Sequence, residues 1–181
     1  MFTVDKTNVE SYQIRSKYGG GVVIVEYIGK TVRVTASGEF GSYGYWWTAP
    51  GDDQKMFLIS LDQQYAMEKL SNYDIYEQDV DEYPKQVKEQ IIDARRQGNL
   101  TQEEAREAWD EMLPIMEEYT SAESIRTRLV DHPLFFIVFG DYTGLPYASR
   151  MKAEVVGFWD YIWKPFIEEL KKEVSNETPT D

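Results

Sequence analysis

The chain has 181 residues, of which 42% are hydrophobic and 14% aromatic, so it is long enough to bury a sizeable core. It contains no cysteine and one histidine, His132, which excludes disulfides, thiolate catalysis and metal sites built from cysteines or several histidines. Its net charge of −13 disfavours direct binding of nucleic acid and favours attraction to basic protein surfaces.

The first 47 residues predict an antiparallel meander of three to four strands. GVVIVEYI (21–28) and TVRVTASG (31–38) flank Gly29-Lys30, a pattern typical of a β-hairpin. SYQIRSK (11–17) indicates a strand before this hairpin, with the glycines at 19–21 as a flexible turn between the two. EFGSYGYWW (39–47) indicates a further strand after it.

This last strand carries aromatic side chains on both faces. Alternation places Tyr43, Tyr45 and Trp47 on one face and Phe40 and Trp46 on the other. An amphipathic helix over 54–70, with an aspartate N-cap at 52 or 53, is expected to pack on the sheet and cover most of these rings. Tyr43 and Trp46 are left as candidate surface rings that could bind a partner.

The rest of the chain is predicted to be mainly helical. Helices are expected from Pro84 to Gly98, from a Thr101/Glu104 capping box onward with a kink at Pro114, and over about 122–130. LFFIVF (134–139) indicates a buried strand, and residues 155–170 a broad apolar helix face. The predicted fold class is therefore α+β, a single domain over 1–174 in which the meander packs against several helices, including a long C-terminal amphipathic helix. A disordered tail is expected at 175–181.

Charge is concentrated in an acidic helical section, about 74–130. From Asp74 to Glu123 there are 15 acidic and five basic residues. Five carboxylates recur at three- and four-residue steps on the predicted helix after Thr101, which places them roughly 5–6 Å apart along one face. This spacing is comparable to that of phosphates along a nucleic-acid strand, so the row could imitate a nucleic-acid backbone towards a basic groove. The row consists of Glu103, Glu107, Asp110, Glu111 and Glu118.

Two other interpretations of the acidic residues remain open. An acidic helix face also keeps a protein soluble, and this role needs no partner. Alternatively, carboxylates could hold a divalent ion, and Asp79, Asp81 and Glu82 form the densest short cluster, although they lack the order of an EF-hand loop. No phosphate-binding loop, dinucleotide fingerprint, nucleophile elbow or HExxH motif occurs. No catalytic residue, metal ligand or cofactor is therefore predicted.

Residues 38–70 resemble a group of small uncharacterised accessory proteins of tailed phages and prophages. The resemblance is carried by F-G-x-Y-G-Y-x-W, a short turn, and F-L-x-x-L-D-x-x-Y-x-M-x-K-L. It brings no established activity or catalytic residue. It implies a setting in the cytoplasm of an infected bacterium, in which an acidic accessory protein could act in counter-defence.

These observations lead to one leading hypothesis and two alternatives. The leading hypothesis is a non-enzymatic inhibitor that binds the basic surface of a host nuclease or CRISPR effector through the acidic row, in the host bacterial cytoplasm. The first alternative is an enzyme that uses a carboxylate-bound divalent ion. The second is a small regulatory or assembly module that binds through Tyr43 and Trp46.

Overall fold

The computed structural model describes residues 2–4 and 6–177. The chain forms two compact units, which we call the sheet unit (Met1–Ile75 with Met151–Asp181) and the helical unit (Tyr76–Arg150). The predicted acidic section begins within two residues of the helical unit. That residues 1–174 behave as one domain stays a prediction.

The described residues form an α+β fold, as the sequence predicts. It includes two short 3-10 turns, at Val80–Glu82 and Tyr142–Gly144, and one π-helical turn at Trp159–Trp163. The elements in chain order are β1 (Glu10–Ser16), β2 (Gly19–Ile28), β3 (Thr31–Gly38), β4 (Gly41–Trp47), α1 (Gln54–Ser60), α2 (Gln63–Leu70), β5 (Tyr76–Gln78), α3 (Tyr83–Arg96), α4 (Gln102–Glu118), α5 (Ala122–Val130), α6 (Phe135–Phe139), β6 (Ser149–Met151), α7 (Ala153–Phe158) and α8 (Lys164–Glu177).

The sheet unit is built on a four-stranded antiparallel meander in the order β1-β2-β3-β4. Val25 pairs with Val34, so these two valines share one face of the sheet with Val23 and Val32, and all four are buried. Helices of the same unit cover that face. The ring of Tyr43 stacks on Phe158 with centroids 4.0 Å apart, and that of Tyr12 meets Phe166 edge-on at 5.0 Å.

The glycines at 19–21 are not a flexible turn, and that prediction is wrong. The turn lies at Lys17 and Tyr18, and all three glycines begin β2. The strands approach so closely here that a Cβ built on Gly21 would lie 2.8 Å from the carbonyl oxygen of Ser37. Close backbone approach, rather than flexibility, explains Gly20 and Gly21, whereas Gly19 adopts a positive φ of 139°.

The predicted helix over 54–70 is two helices. Asp53 caps α1 as expected, accepting the N–H of Met56 at 2.9 Å. Leu61 is then extended, and Asp62 starts α2 by accepting the N–H of Tyr65 at 2.9 Å. The apolar spacing continues across this break, so periodicity alone predicted one helix where a second N-cap starts a new one.

The C-terminal amphipathic helix is confirmed, with two differences from the prediction. It contains the π-helical turn just before Pro165, whose ring would collide with the carbonyl four residues earlier in a regular helix. It also extends to Glu177, so residues 175–177 are helical rather than disordered. The remainder of the expected tail, 178–181, lies outside the described residues.

The helical unit has a core formed by α3, α4, α5 and α6. The predicted strand at 134–139 is wrong, because these residues form α6. Phe135, Val138 and Phe139 are buried while Phe136 is 57% exposed, a helical pattern of burial. A run of six apolar residues does not distinguish a strand from a buried helix.

Candidate protein-binding surface

Helix α4 is fixed at its start by the predicted capping box. Thr101 Oγ1 accepts the N–H of Glu104 at 3.1 Å, and Glu104 Oε2 accepts the N–H of Thr101 at 2.8 Å. These hydrogen bonds hold the pKa of Glu104 below its usual range. Ala108 and Met112 turn into the core, so the opposite side of the helix faces solvent.

The five predicted row residues all lie on the exposed side of α4. With about 3.6 residues per turn, they fall within an arc of roughly 100° around the helix axis. All five side chains are exposed, and all but Glu118 border a shallow depression along α4. The structure thus brings together the residues that were selected by their spacing, which are Glu103, Glu107, Asp110, Glu111 and Glu118.

Two members of the row make polar contacts within the protein. Asp110 Oδ2 accepts a charged hydrogen bond from Arg106 Nε at 2.8 Å. Glu111 Oε2 lies 3.1 Å from His132 Nε2. Glu103, Glu107 and Glu118 have no hydrogen-bonding or ionic side-chain partner among residues 2–4 and 6–177. These three carboxylates therefore remain available for contacts with a partner.

His132 lies in the turn before Pro133 and has a structural role there. Its Nδ1 accepts the N–H of Leu134 at 3.1 Å, so the ring proton is on Nε2, which donates to Glu111. The side chain is only 6% exposed. This residue joins the turn after α5 to the side of α4 and orients one carboxylate of the row.

Pro114 divides the row. It lies inside α4 and on the same arc, between Glu111 and Glu118, which are about 10 Å apart along the helix axis. Glu117 is exposed at the edge of this arc and was not selected from the sequence, although helical spacing could have found it. The surface therefore has a denser N-terminal part and a separate C-terminal part.

Tyr43 is not a surface residue, and that expectation is wrong. It is 2% exposed, its ring stacks on Phe158, and its hydroxyl donates to the carbonyl of Phe40 at 3.0 Å. Burial raises the pKa of Tyr43. The alternation in β4 turns this ring towards the covering helices, so it belongs to the core.

Trp46 is exposed, as expected, at 47%. The guanidinium of Arg33 lies 4.6 Å from its ring centroid, and Arg33 Nη1 donates to Glu26 Oε2 at 3.1 Å. Glu26 is only 8% exposed and also accepts a hydrogen bond from Thr7. Glu26, Arg33 and Trp46 thus lie side by side on three neighbouring strands, on the face of the sheet opposite Tyr43.

In the acidic cluster at 79–82, Asp79 and Asp81 form ion pairs with Arg150 of the same chain. Arg150 Nε donates to Glu77 at 2.9 Å, and Arg150 Nη1 contacts Asp79 at 3.3 Å and Asp81 at 2.8 Å. These contacts raise the pKa of Arg150. Within the described part of the chain, no group of three or more carboxylates or histidines is arranged to hold a metal ion.

The fold and this surface define a class: an acidic α+β protein with an exposed row of carboxylates on one helix. A comparison with protein families matches residues 2–173 to Phage_phiTE_072, a phage family. Because the match spans nearly the whole chain, the chain belongs to this family. The phage association implied by residues 38–70 is confirmed, whereas the value of that motif as a signature stays a prediction.

The comparisons with curated proteins and with solved structures found no match. No helix in the described ranges has the length and apolar character needed to cross a membrane.

Proposed function

We propose that this phage protein binds and inhibits a host nucleic-acid-handling protein through the acidic face of α4. The observation that supports the proposal is the exposure of five carboxylates on one arc of a single helix, three of them without a partner in the described structure. A nuclease or a CRISPR effector offers the complementary surface, a basic groove that normally holds phosphates.

The proposed mechanism is competition for that groove. Carboxylates four residues apart on α4 lie about 6 Å apart along the axis, so lysines and arginines spaced for phosphates could contact them in succession. Counterions released from both surfaces would favour association, and salt would weaken it. Occupation of the groove by a protein that cannot be cleaved would exclude the nucleic acid.

The proposal requires a protein partner whose binding depends on the negative charges of the acidic row. A tagged chain is used to capture proteins from nuclease-treated bacterial lysate, and the bound proteins are eluted with a salt gradient and identified by mass spectrometry. A nucleic-acid enzyme that elutes at moderate salt supports the proposal. Capture of no specific protein, or of one whose elution does not depend on salt, contradicts it.

A matched pair of variants tests whether the acidic row is the contact. The row variant, Glu103→Lys/Glu107→Lys/Glu118→Lys, spares Asp110 and Glu111 because they bond within the protein. The control variant replaces three exposed glutamates outside the row by lysine, so its net charge changes by the same amount as that of the row variant. Loss of capture in the row variant alone supports the proposal, and equal loss in both would indicate a general charge effect. The control residues are Glu39, Glu68 and Glu89.

The exposed Trp46 favours a second candidate function, a regulatory or assembly module that binds through the sheet. Tryptophan and arginine are enriched among the residues that dominate binding at protein interfaces, and Arg33 already lies against this ring. Trp46→Ala should then abolish binding to the partner of this surface without lowering the melting temperature. A captured partner that binds Trp46→Ala as tightly as the wild type would exclude this candidate.

A further inference from the structure

A groove between α3 and α4 has a charge opposite to that of its surroundings. It has a volume of about 580 Å³, within the range of small-molecule sites. Of the five basic residues between Asp74 and Glu123, Arg95, Arg96 and Arg106 line it, and Lys88 Nζ lies 5.6 Å from the ring of its Trp109. Of the 15 acidic residues in that section, Asp110 alone is in the lining.

The floor of the groove is apolar and includes an aromatic ring. Ile92 and Trp109 are 39% and 37% exposed, although both belong to helices that pack in the core of the helical unit. Ile91 and Ala105 complete the apolar lining. An exposed indole beside arginines is a combination that stacks planar rings and binds anionic groups.

The arginines retain donors for a ligand. Arg106 uses Nε for Asp110, and its two terminal nitrogens make no hydrogen bond within residues 2–4 and 6–177. Arg96 Nη1 lies 3.4 Å from Asp93 in an exposed ion pair. Such a pair contributes little to stability, so Arg96 can exchange Asp93 for a stronger acceptor. Arg95 has no ion pair within the same described ranges. The guanidinium fork matches phosphate oxygens in geometry as well as charge.

We propose that this groove binds a free nucleoside phosphate, with the base on Trp109 and the phosphate on Arg95, Arg96 and Arg106. The combination of an apolar aromatic floor and an arginine rim selects a ligand that has both a planar ring and an anion. A longer nucleic acid is disfavoured, because its additional phosphates would meet Glu103 and Glu107 on the neighbouring side of α4. The groove adjoins the acidic row at Asp110, but the proposal does not require that the row binds a protein.

The test is calorimetric titration of the full chain with adenosine monophosphate, adenosine, inorganic phosphate and an oligothymidylate of six nucleotides. Saturable binding of the monophosphate, at least about tenfold tighter than adenosine or phosphate alone, is expected because each single probe lacks one half of the contacts. No binding of the monophosphate at about 5 mM overturns the proposal. So does equal affinity for inorganic phosphate, or tighter binding of the oligothymidylate.

Variants locate the site. Arg95→Gln/Arg96→Gln and Trp109→Leu should each weaken monophosphate binding about tenfold or more. Lys85→Gln/Arg128→Gln removes two exposed cations of the same unit that lie outside the groove lining, and Trp46→Leu removes an exposed indole that also faces an arginine. Both controls should bind as the wild type does. Equal weakening in the groove variants and the controls, or unchanged binding in the groove variants, overturns the assignment.

Discussion

Tyr43 and Trp46 lie three residues apart on β4 and illustrate how one strand separates core from surface. The ring of Tyr43 is enclosed by Phe158 and Tyr73, whereas Trp46 stays 47% exposed beside Arg33. Tyr43→Ala should lower the free energy of unfolding by about 3–5 kcal/mol, because truncation leaves a cavity. Trp46→Ala should cost about 1 kcal/mol or less, mainly the cation–π contact. Thermal and urea unfolding of both variants compares the two, and equal losses would contradict this assignment of core and surface.

Gly38 tests the close approach of β2 and β3. A Cβ on this residue would lie 2.8 Å from Gly21 Cα and still closer to the carbonyl oxygen of Gly20. Gly38→Ala should therefore destabilise the protein by about 1–3 kcal/mol through overpacking against backbone. Ser37→Ala, at the exposed neighbouring position, is the control. A melting temperature of Gly38→Ala equal to that of the control would show that the strands can separate without cost.

At the scale of single elements, the capping box of α4 makes a prediction about pH. The hydrogen bonds from Thr101 lower the pKa of Glu104 in the folded state, so the unfolded state binds a proton more readily. The contribution of this carboxylate is therefore present above its unfolded pKa and is lost as the pH falls through its folded pKa. Glu104→Gln keeps a capping acceptor but cannot titrate. The unfolding free energy of Glu104→Gln should therefore fall less steeply on acidification than that of the wild type. Parallel curves of unfolding free energy against pH for the two proteins would contradict this.

Most elements that are set by turn or capping residues were predicted correctly, with the N-cap at Asp62 as an exception, whereas elements that depend on contacts distant in sequence were not. The hairpin at Gly29-Lys30 and the caps at Asp53 and Thr101 follow from turn and capping chemistry, which acts within a few residues. Residues 135–139 form α6 and bury one helical face in the core of the helical unit, and this packing depends on residues that are distant in sequence. Gly21 was predicted to lie in a turn because its close approach to Ser37 joins residues that are distant in sequence.

The candidate site could be predicted only in part, for similar reasons. Helical spacing placed the acidic row on one exposed arc, since i, i+3 and i, i+4 positions share a face in any helix. The contact of Glu111 with His132 could not be foreseen, because it depends on how the turn after α5 packs against α4. The basic groove was missed because Arg95 and Arg96 are on α3 while Arg106 and Trp109 are on α4.

At the scale of the whole molecule, the net charge of −13 predicts how binding depends on salt. Association through the acidic row should weaken steadily as the ionic strength rises, because the Debye length falls from about 10 Å at 0.1 M to about 3 Å at 1 M. The decrease should be steeper for the wild type than for the row variant, which lacks three of the charges. Affinities measured over a salt series for both proteins compare the slopes; identical slopes would place the contact elsewhere.

The most direct test of the central claim is the affinity of the captured partner for the wild type, the row variant and the control variant at one physiological salt concentration, with circular dichroism to confirm that all three are folded. If α4 is the contact, each lost carboxylate removes about 1 kcal/mol and adds a repulsive cation, so the row variant should bind about 100-fold more weakly or worse. The control variant should stay within about threefold of the wild type, since its exchanges lie outside the row. Equal affinity of the row variant and the wild type would contradict the proposal that the acidic face of α4 binds the partner.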